Sequence, residues 1–81
     1  MTFKKQSVTV LGSTGSVGVN TLEVVATHPE RFSVFALSAA TQTELMMAQC
    51  ARFKPRYAVM ASAPHAHDLA EKLKANTKII N

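Results

Sequence analysis

The sequence predicts an α/β fold built on a parallel sheet, and three observations carry that prediction. The β-branched run Ser7-Val8-Thr9-Val10-Leu11 feeds a glycine-rich turn, Gly12-Ser13-Thr14-Gly15-Ser16-Val17-Gly18, which opens an amphipathic stretch. Short apolar runs then alternate with segments of helical period along the whole chain, in the order βαβαβαβ. The longest of these runs is nearly continuous, as strands covered on both faces of a parallel sheet are. With right-handed crossovers and tight loops, this is a doubly wound parallel sheet, and the seven elements make the first half of a Rossmann-like fold. In such a sheet the first strand is expected to be central.

The first helix should run from about Ser16 to Thr27, with Gly18, Leu22 and Val25 facing the sheet at i, i+4 and i+7. His28-Pro29 stops it, because the residue before proline avoids the helical region. Ser33-Val34-Phe35-Ala36-Leu37-Ser38-Ala39 reads as the second strand, and Ala40-Thr41-Gln42 as the next loop. Thr41 with Glu44 three residues on predicts a capping box, and so a second helix from about Gln42 to Phe53. Its buried stripe would be Met46, Cys50 and Phe53, with Leu45 alongside. Lys54-Pro55-Arg56 breaks that helix before a short strand, Tyr57-Ala58-Val59-Met60. Ser62-Ala63-Pro64 starts a third helix with proline in its first turn, and Ala66, Leu69, Ala70 and Leu73 recur at helical spacing through about Lys74. Asp68 and Lys72 form an i, i+4 pair on the exposed face. Asn76-Thr77 turns the chain into a fourth strand beginning at Lys78-Ile79-Ile80. The expected core is Val8, Val10, Leu22, Val25, Val34, Phe35, Leu37, Met46, Phe53, Val59, Leu69 and Leu73.

The glycine turn carries the chemistry. A strand that ends in bare backbone amides at the positive end of a helix dipole is an anion site, and phosphate is its natural occupant. Glycine permits positive φ in the turn and close approach of a pyrophosphate, while Gly18 lets the helix lie close. The spacing G-x-x-G-x-x-G is one residue longer in its first gap than the common dinucleotide fingerprint. It is not a Walker loop, since no Gly-Lys-Ser/Thr follows. The backbone amides from Thr14 to Val17 are the candidate pyrophosphate ligands. A plain strand-to-helix turn without a ligand is the competing reading.

An acidic residue about 20 positions past the glycines holds the ribose hydroxyls in NAD-binding folds. At the end of the second strand stands Ser38-Ala39-Ala40-Thr41-Gln42-Thr43, with no acid before Glu44, and Glu44 is explained by the capping box. Nothing there repels a 2′-phosphate, and no Arg or Lys pairs with it, so NADP is accepted without being demanded.

Composition limits the alternatives. A chain of 81 residues makes one small domain with a marginal core. Its net charge of +4 suits an anionic ligand. The cations Lys4, Lys5, Arg52, Lys54, Arg56, Lys72, Lys74 and Lys78 are dispersed and aromatics are few, which argues against nucleic acid. The single cysteine, Cys50, excludes an intrachain disulfide and reads as a small core residue. His65 and His67, at i and i+2 of a helix, point to nearly opposite faces and read as surface histidines rather than metal ligands. Met46 and Met47 read as packing and Arg31 as a solvated charge. No signal peptide or membrane span is legible, so a soluble cytoplasmic protein is the default.

Three blocks, Val8-Thr9-Val10-Leu11-Gly12-Ser13-Thr14-Gly15-Ser16-Val17-Gly18, His28-Pro29-Glu30-Arg31-Phe32 and Pro55-Arg56-Tyr57-Ala58-Val59-Met60, resemble the start of the 1-deoxy-D-xylulose 5-phosphate reductoisomerases. The likeness covers nearly the whole chain. It implies an NADPH-dependent enzyme of the non-mevalonate isoprenoid pathway that rearranges its sugar phosphate and reduces the product to 2-C-methyl-D-erythritol 4-phosphate. It further implies a divalent metal, magnesium or manganese, and a homodimer. Gly12, Thr14, Gly15, Ser16 and Val17 lie in the loop that contacts NADPH in the family. Gln42 falls where many members carry an Asn near the adenosine ribose phosphate. The chain departs from a common Gly-Lys-Asn pattern there, having Ala40-Thr41-Gln42. The family's acidic metal ligands and substrate-phosphate residues lie beyond Asn81, so no catalytic residue and no metal ligand is assigned within residues 1–81.

The chain therefore reads as the amino-terminal part of an NADPH-binding domain, truncated as its fourth strand begins. The alternative function is a Rossmann-like module that binds a dinucleotide or another phospholigand without catalysis. An Asp-x-Glu-type acidic cluster downstream would decide for the enzyme.

Overall fold

A computed structural model describes residues 5–73 and 76–81. The elements are β1 (Gln6–Val10), α1 (Ser16–Thr27), β2 (Phe32–Ala39), α2 (Thr43–Phe53), β3 (Tyr57–Met60), α3 (Ala63–Lys72) and β4 (Lys78–Ile80). All three strand pairings are parallel, and the strands lie in the order β1-β2-β3-β4. The expected Rossmann-like α/β class, with its strict alternation, is what the chain forms. The reading of Lys74 as the end of the third helix falls outside the described residues.

Strand order equals chain order, which decides where the helices go. Right-handed crossovers that always step in one direction place every helix on the same face. The register agrees. Val10, Leu37, Ala58 and Ile79 stand side by side across the four strands, and all are buried or packed against the core with Leu22, Val25, Met46, Cys50, Ala66 and Leu69 of the helices. The next row, Thr9, Ala36, Tyr57 and Lys78, points to the other face, because the side-chain period of a strand is two. The described residues thus supply one winding of a doubly wound sheet.

The first strand, expected to be central, has a neighbour on one side only among the described residues. β4 adds outside β3 instead of crossing back beside β1, so β1 stands at an edge of the sheet. The reversal that would make β1 central does not occur among the described residues.

Two core expectations also change. Phe35 is 41% exposed. Val8 pairs with Val34 and Thr9 with Ala36, so Phe35 is the extra residue of a bulge, where the alternation of faces breaks. Its ring meets Tyr57 edge-on, with centroids 5.4 Å apart. Val59 is half-buried in the row facing away from the helices. Val8, Phe53 and Leu73 are partly buried against the core, and the other seven expected core residues are buried. Leu45, expected alongside the α2 stripe, is exposed.

The helix boundaries have local causes. The N–H of His28 donates to Val25 O at the end of α1, ahead of Pro29. Lys54 ends α2 in the left-handed conformation at φ 50°, ahead of Pro55. Arg52 near the end of α2 reaches Glu23 of α1 at 2.7 Å, and its guanidinium holds the Glu23 carboxyl below its ordinary pKa. No helix among the described residues is long and apolar enough to cross a membrane.

Cys50 is fully buried. Burial pushes its thiol up to about 11, against a weaker opposing contact with the Thr77 side chain. The fold therefore favours the neutral thiol. Its contribution to stability is complete below the ordinary thiol pKa and is lost as pH rises through about 11. At pH 8 Cys50 should resist a colorimetric thiol reagent in the folded protein and react at once in denaturant. Stability should decline on the alkaline side more steeply than in Cys50→Ala.

Candidate functional site

The glycine turn lies at the carboxyl ends of the parallel strands, where β1 hands over to α1, and its three glycines do three different things. Gly12 sits at φ +68°, a left-handed conformation that side chains resist. Gly15, the residue before α1, has ordinary dihedrals, and a Cβ there would meet only Gly12 O at 3.5 Å. Gly18 is held hard against the loop: a Cβ would lie 2.2 Å from Gly12 O and 2.7 Å from Ser13 Cα. The helix therefore rests on the backbone of its own preceding turn.

The inner part of the turn is pinned from two further elements. The Gly12 N–H donates to Ser38 Oγ at 3.1 Å and the Ser13 N–H to Ser38 O at 2.8 Å, both on β2. From α2, Gln49 Nε2 donates to Ser13 O at 2.7 Å. Ser13 is fully buried, and Gln49 is 7% exposed.

The outer part is open. Gly15 N–H donates back to Gly12 O at 3.1 Å, so it is taken up inside the turn. Of the amides from Thr14 to Val17 expected to hold a pyrophosphate, that of Gly15 is thus already engaged within the turn. Thr14, Ser16 and Val17 have N–H groups without a partner among the described residues. No side chain caps α1, and its first turn carries no acid. These unfilled donors and the positive helix end form one anion-attracting corner. Thr14 is half-buried, whereas Gly15, Ser16 and Val17 are exposed. Leu11 and Val17, 79% and 78% exposed, give the corner two apolar flanks.

Gln42 is the residue before α2, exposed, at the same carboxyl edge of the sheet. The capping box expected of Thr41 and Glu44 is absent. Thr41 O accepts the Thr43 N–H at 2.9 Å in a tight turn, so the helix begins one residue later and Gln42 takes the cap position. Glu44 thereby falls on the second helical position as an exposed carboxylate that favours the helix dipole. Between Ser38 and Thr43 there is neither acid nor base.

The other singled-out residues sit elsewhere. His65 Nδ1 lies 2.8 Å from Ser62 Oγ, while His67 Nε2 lies 3.1 Å from Glu71 Oε1, so each ring engages its own neighbour. Lys72 pairs with Asp68 at 3.1 Å. His28 faces Glu30, and Met46 is buried in the core. A cavity of about 990 Å³ opens at the opposite end of the sheet beside Lys54, Arg56 and Lys72. The carboxyl ends of α2 and α3 point there, and their negative dipoles oppose a pyrophosphate in spite of the cations.

Sequence reasoning missed Ser38 and Gln49. Ser38 carried no signal beyond its place in an apolar strand. Gln49 had one: it stands three residues after Met46 and beside Cys50, on the stripe already assigned to the core. A polar residue on a buried stripe must have a partner.

The chain matches the family model described as 1-deoxy-D-xylulose 5-phosphate reductoisomerase over residues 8–81. It is 51% identical over 77 residues to the protein of that name from Laribacter hongkongensis, covering 94% of this chain and 20% of the relative. To the one from Janthinobacterium sp. it is 56% identical over 70 residues, 86% of this chain and 18% of the relative. Among solved structures, the Zymomonas mobilis reductoisomerase in complex with NADPH superposes with a TM-score of 0.90 at 31% identity, over 95% of this chain and 21% of that one. A DOX-P reductoisomerase in complex with NADPH, fosmidomycin and magnesium gives 0.87 at 29%, over 93% and 19%. The chain thus spans about a fifth of the length of the curated relatives it matches.

The glycine geometry makes a graded prediction. Gly18→Ala must push α1 off its turn, and we expect a loss of about 2 kcal/mol, outweighing the gain in helix propensity. Gly15→Ala should stay within about 1 kcal/mol of the parent. Urea denaturation midpoints of the two variants check this order.

Proposed function

Since the chain belongs to the 1-deoxy-D-xylulose 5-phosphate reductoisomerase family, we propose that it is the NADPH-binding segment of such an enzyme. The enzyme rearranges 1-deoxy-D-xylulose 5-phosphate and reduces the resulting aldehyde to 2-C-methyl-D-erythritol 4-phosphate. The observation that carries this reading is the open corner formed by Gly12 to Val17, whose free amides attract an anion and whose Gly15 leaves room for one.

The residues fit a dinucleotide. The Thr14, Ser16 and Val17 amides would hold the pyrophosphate oxygens, and Gly12 and Gly15 would shape the turn around them. Val17 and Leu11 offer apolar contact at the flanks. Gln42, at the end of the neighbouring strand, would face the adenosine ribose, where its amide donates to hydroxyl or phosphate. The absence of an acid between Ser38 and Thr43 leaves a 2′-phosphate unopposed. When bound, NADPH supplies the hydride that reduces the aldehyde; the chain binds and orients it. A magnesium or manganese ion and the sugar phosphate belong to the same reading, with their ligands outside residues 1–81. Among the described residues no group of three or more His, Cys, Asp or Glu could hold a metal ion. A cytoplasmic homodimer that binds no nucleic acid completes the proposal.

Gly15→Val tests the site. The turn tolerates a Cβ at this position, but a branched side chain would occupy the ground a phosphate must reach. In the full-length enzyme we expect NADPH affinity to fall at least about tenfold, equivalent to about 1.4 kcal/mol, with an unchanged circular dichroism spectrum. Calorimetry giving the parental affinity would sink the assignment. Residues 1–81 alone should bind NADPH weakly and show no turnover with substrate, NADPH and magnesium. Measurable turnover would place a catalytic group within them.

A further inference from the structure

We propose that Gln49 is a positioning residue for NADPH, acting through the peptide between Ser13 and Thr14; this rests on the reading of the turn as the pyrophosphate site. A trans peptide is planar, and its carbonyl and N–H point in opposite directions. Gln49 Nε2 donates to the Ser13 carbonyl at 2.7 Å from beneath, within the core. The N–H of Thr14 belongs to that same peptide plane. Drawing the oxygen inward aims the Thr14 N–H outward, toward the open corner, where it has no partner among the described residues. If the plane turned over, it would present a carbonyl oxygen to the phosphate in place of a donor.

The energetics of the position favour this role over packing. Gln49 is nine-tenths buried between Met46 and Cys50, and its own Oε1 has no hydrogen-bond partner. The adjacent Ser13 Oγ is buried and unpartnered as well. A leucine or methionine would fill comparable volume without burying an unsatisfied amide oxygen. The one hydrogen bond this side chain makes goes to the loop, across 36 residues of sequence. Ser38 already holds the preceding amides, Gly12 N–H and Ser13 N–H, so the Ser13 carbonyl is the first group past that anchor. Gln49 thereby sets the direction of the first ligand-facing donor.

The test uses the full-length enzyme and two substitutions of similar size. Gln49→Met removes the donor, and Gln49→Glu sets an oxygen against the carbonyl. We expect the Kd for NADPH, read by fluorescence titration, to rise about tenfold in Gln49→Met and further in Gln49→Glu. The kcat at saturating NADPH and the KM for the sugar phosphate should stay at parental values, a split that general loosening of the fold would not produce. Gly15→Val is the control: if it weakens NADPH binding and Gln49→Met leaves the Kd within twofold, the role of Gln49 is refuted and the site stands. If neither changes the Kd, the site reading falls and takes this proposal with it. A measurement on the unsubstituted enzyme covers the case in which the variants do not fold. The side-chain amide protons of Gln49 should be protected from solvent exchange before NADPH is added. Exchange at the rate of a free glutamine would refute the proposal.

Discussion

The approach of α1 to the Gly12–Ser13 backbone is the contact on which the rest of this structure depends. Without a Cβ at Gly18, the helix settles against the carbonyl of Gly12 and the Cα of Ser13. That seat fixes the height of the helix over the sheet. Leu22 and Val25, four and seven residues further on, then drop onto the core built from Val10 and Leu37. The same seat fixes where the unfilled amides of the first helical turn emerge. The packing of α1 and the placement of its open amides are thus consequences of a single close contact, and a methyl group at one position disturbs both.

The winding on one face has its own logic. The three helices bury one side of the sheet, while Thr9, Ala36, Ser38, Tyr57, Val59, Lys78 and Ile80 lie in the rows of the other. Those rows mix polar and apolar groups, and the Phe35–Tyr57 contact gives them an aromatic patch. A doubly wound sheet covers that side with helices of its second half. Were such a sheet to continue at the free edge of β1, the anion-attracting corner would stand at the boundary between its two halves.

Most of the architecture could be read from residue order because the signals were local. The strand-turn-helix at Gly12 to Gly18, the proline stops at Pro29 and Pro55, and the helical stripe of Leu22 and Val25 each declare themselves within a few residues. What could not be read was pairwise. Whether β4 joins β3 or returns to β1 depends on contacts between segments, and a strand of three residues says nothing about its neighbour. The bulge that expels Phe35 comes from register between two strands, which no single strand encodes. Thr41 and Glu44 had the spacing of a cap, but the carbonyl of Thr41 was drawn into a tighter turn. At the site, the glycines were legible because each type has a conformational reason. Ser38 and Gln49 were not, since their importance lies in reaching a backbone atom 26 and 36 residues away.

A sheet whose strands lie in the order of synthesis bears on how the chain folds as it leaves a ribosome. Each new strand finds its partner in the one just completed, so no step closes a loop longer than a single crossover. β1 and β2 can pair before β3 exists, and β3 before β4. The glycine turn, however, cannot reach its final shape on that first step. Ser38 arrives with β2 and anchors two amides, but the Ser13 carbonyl waits for Gln49, eleven residues later. Until α2 has emerged, therefore, the sheet can be begun while the Ser13 carbonyl at the anion-attracting corner still lacks its partner.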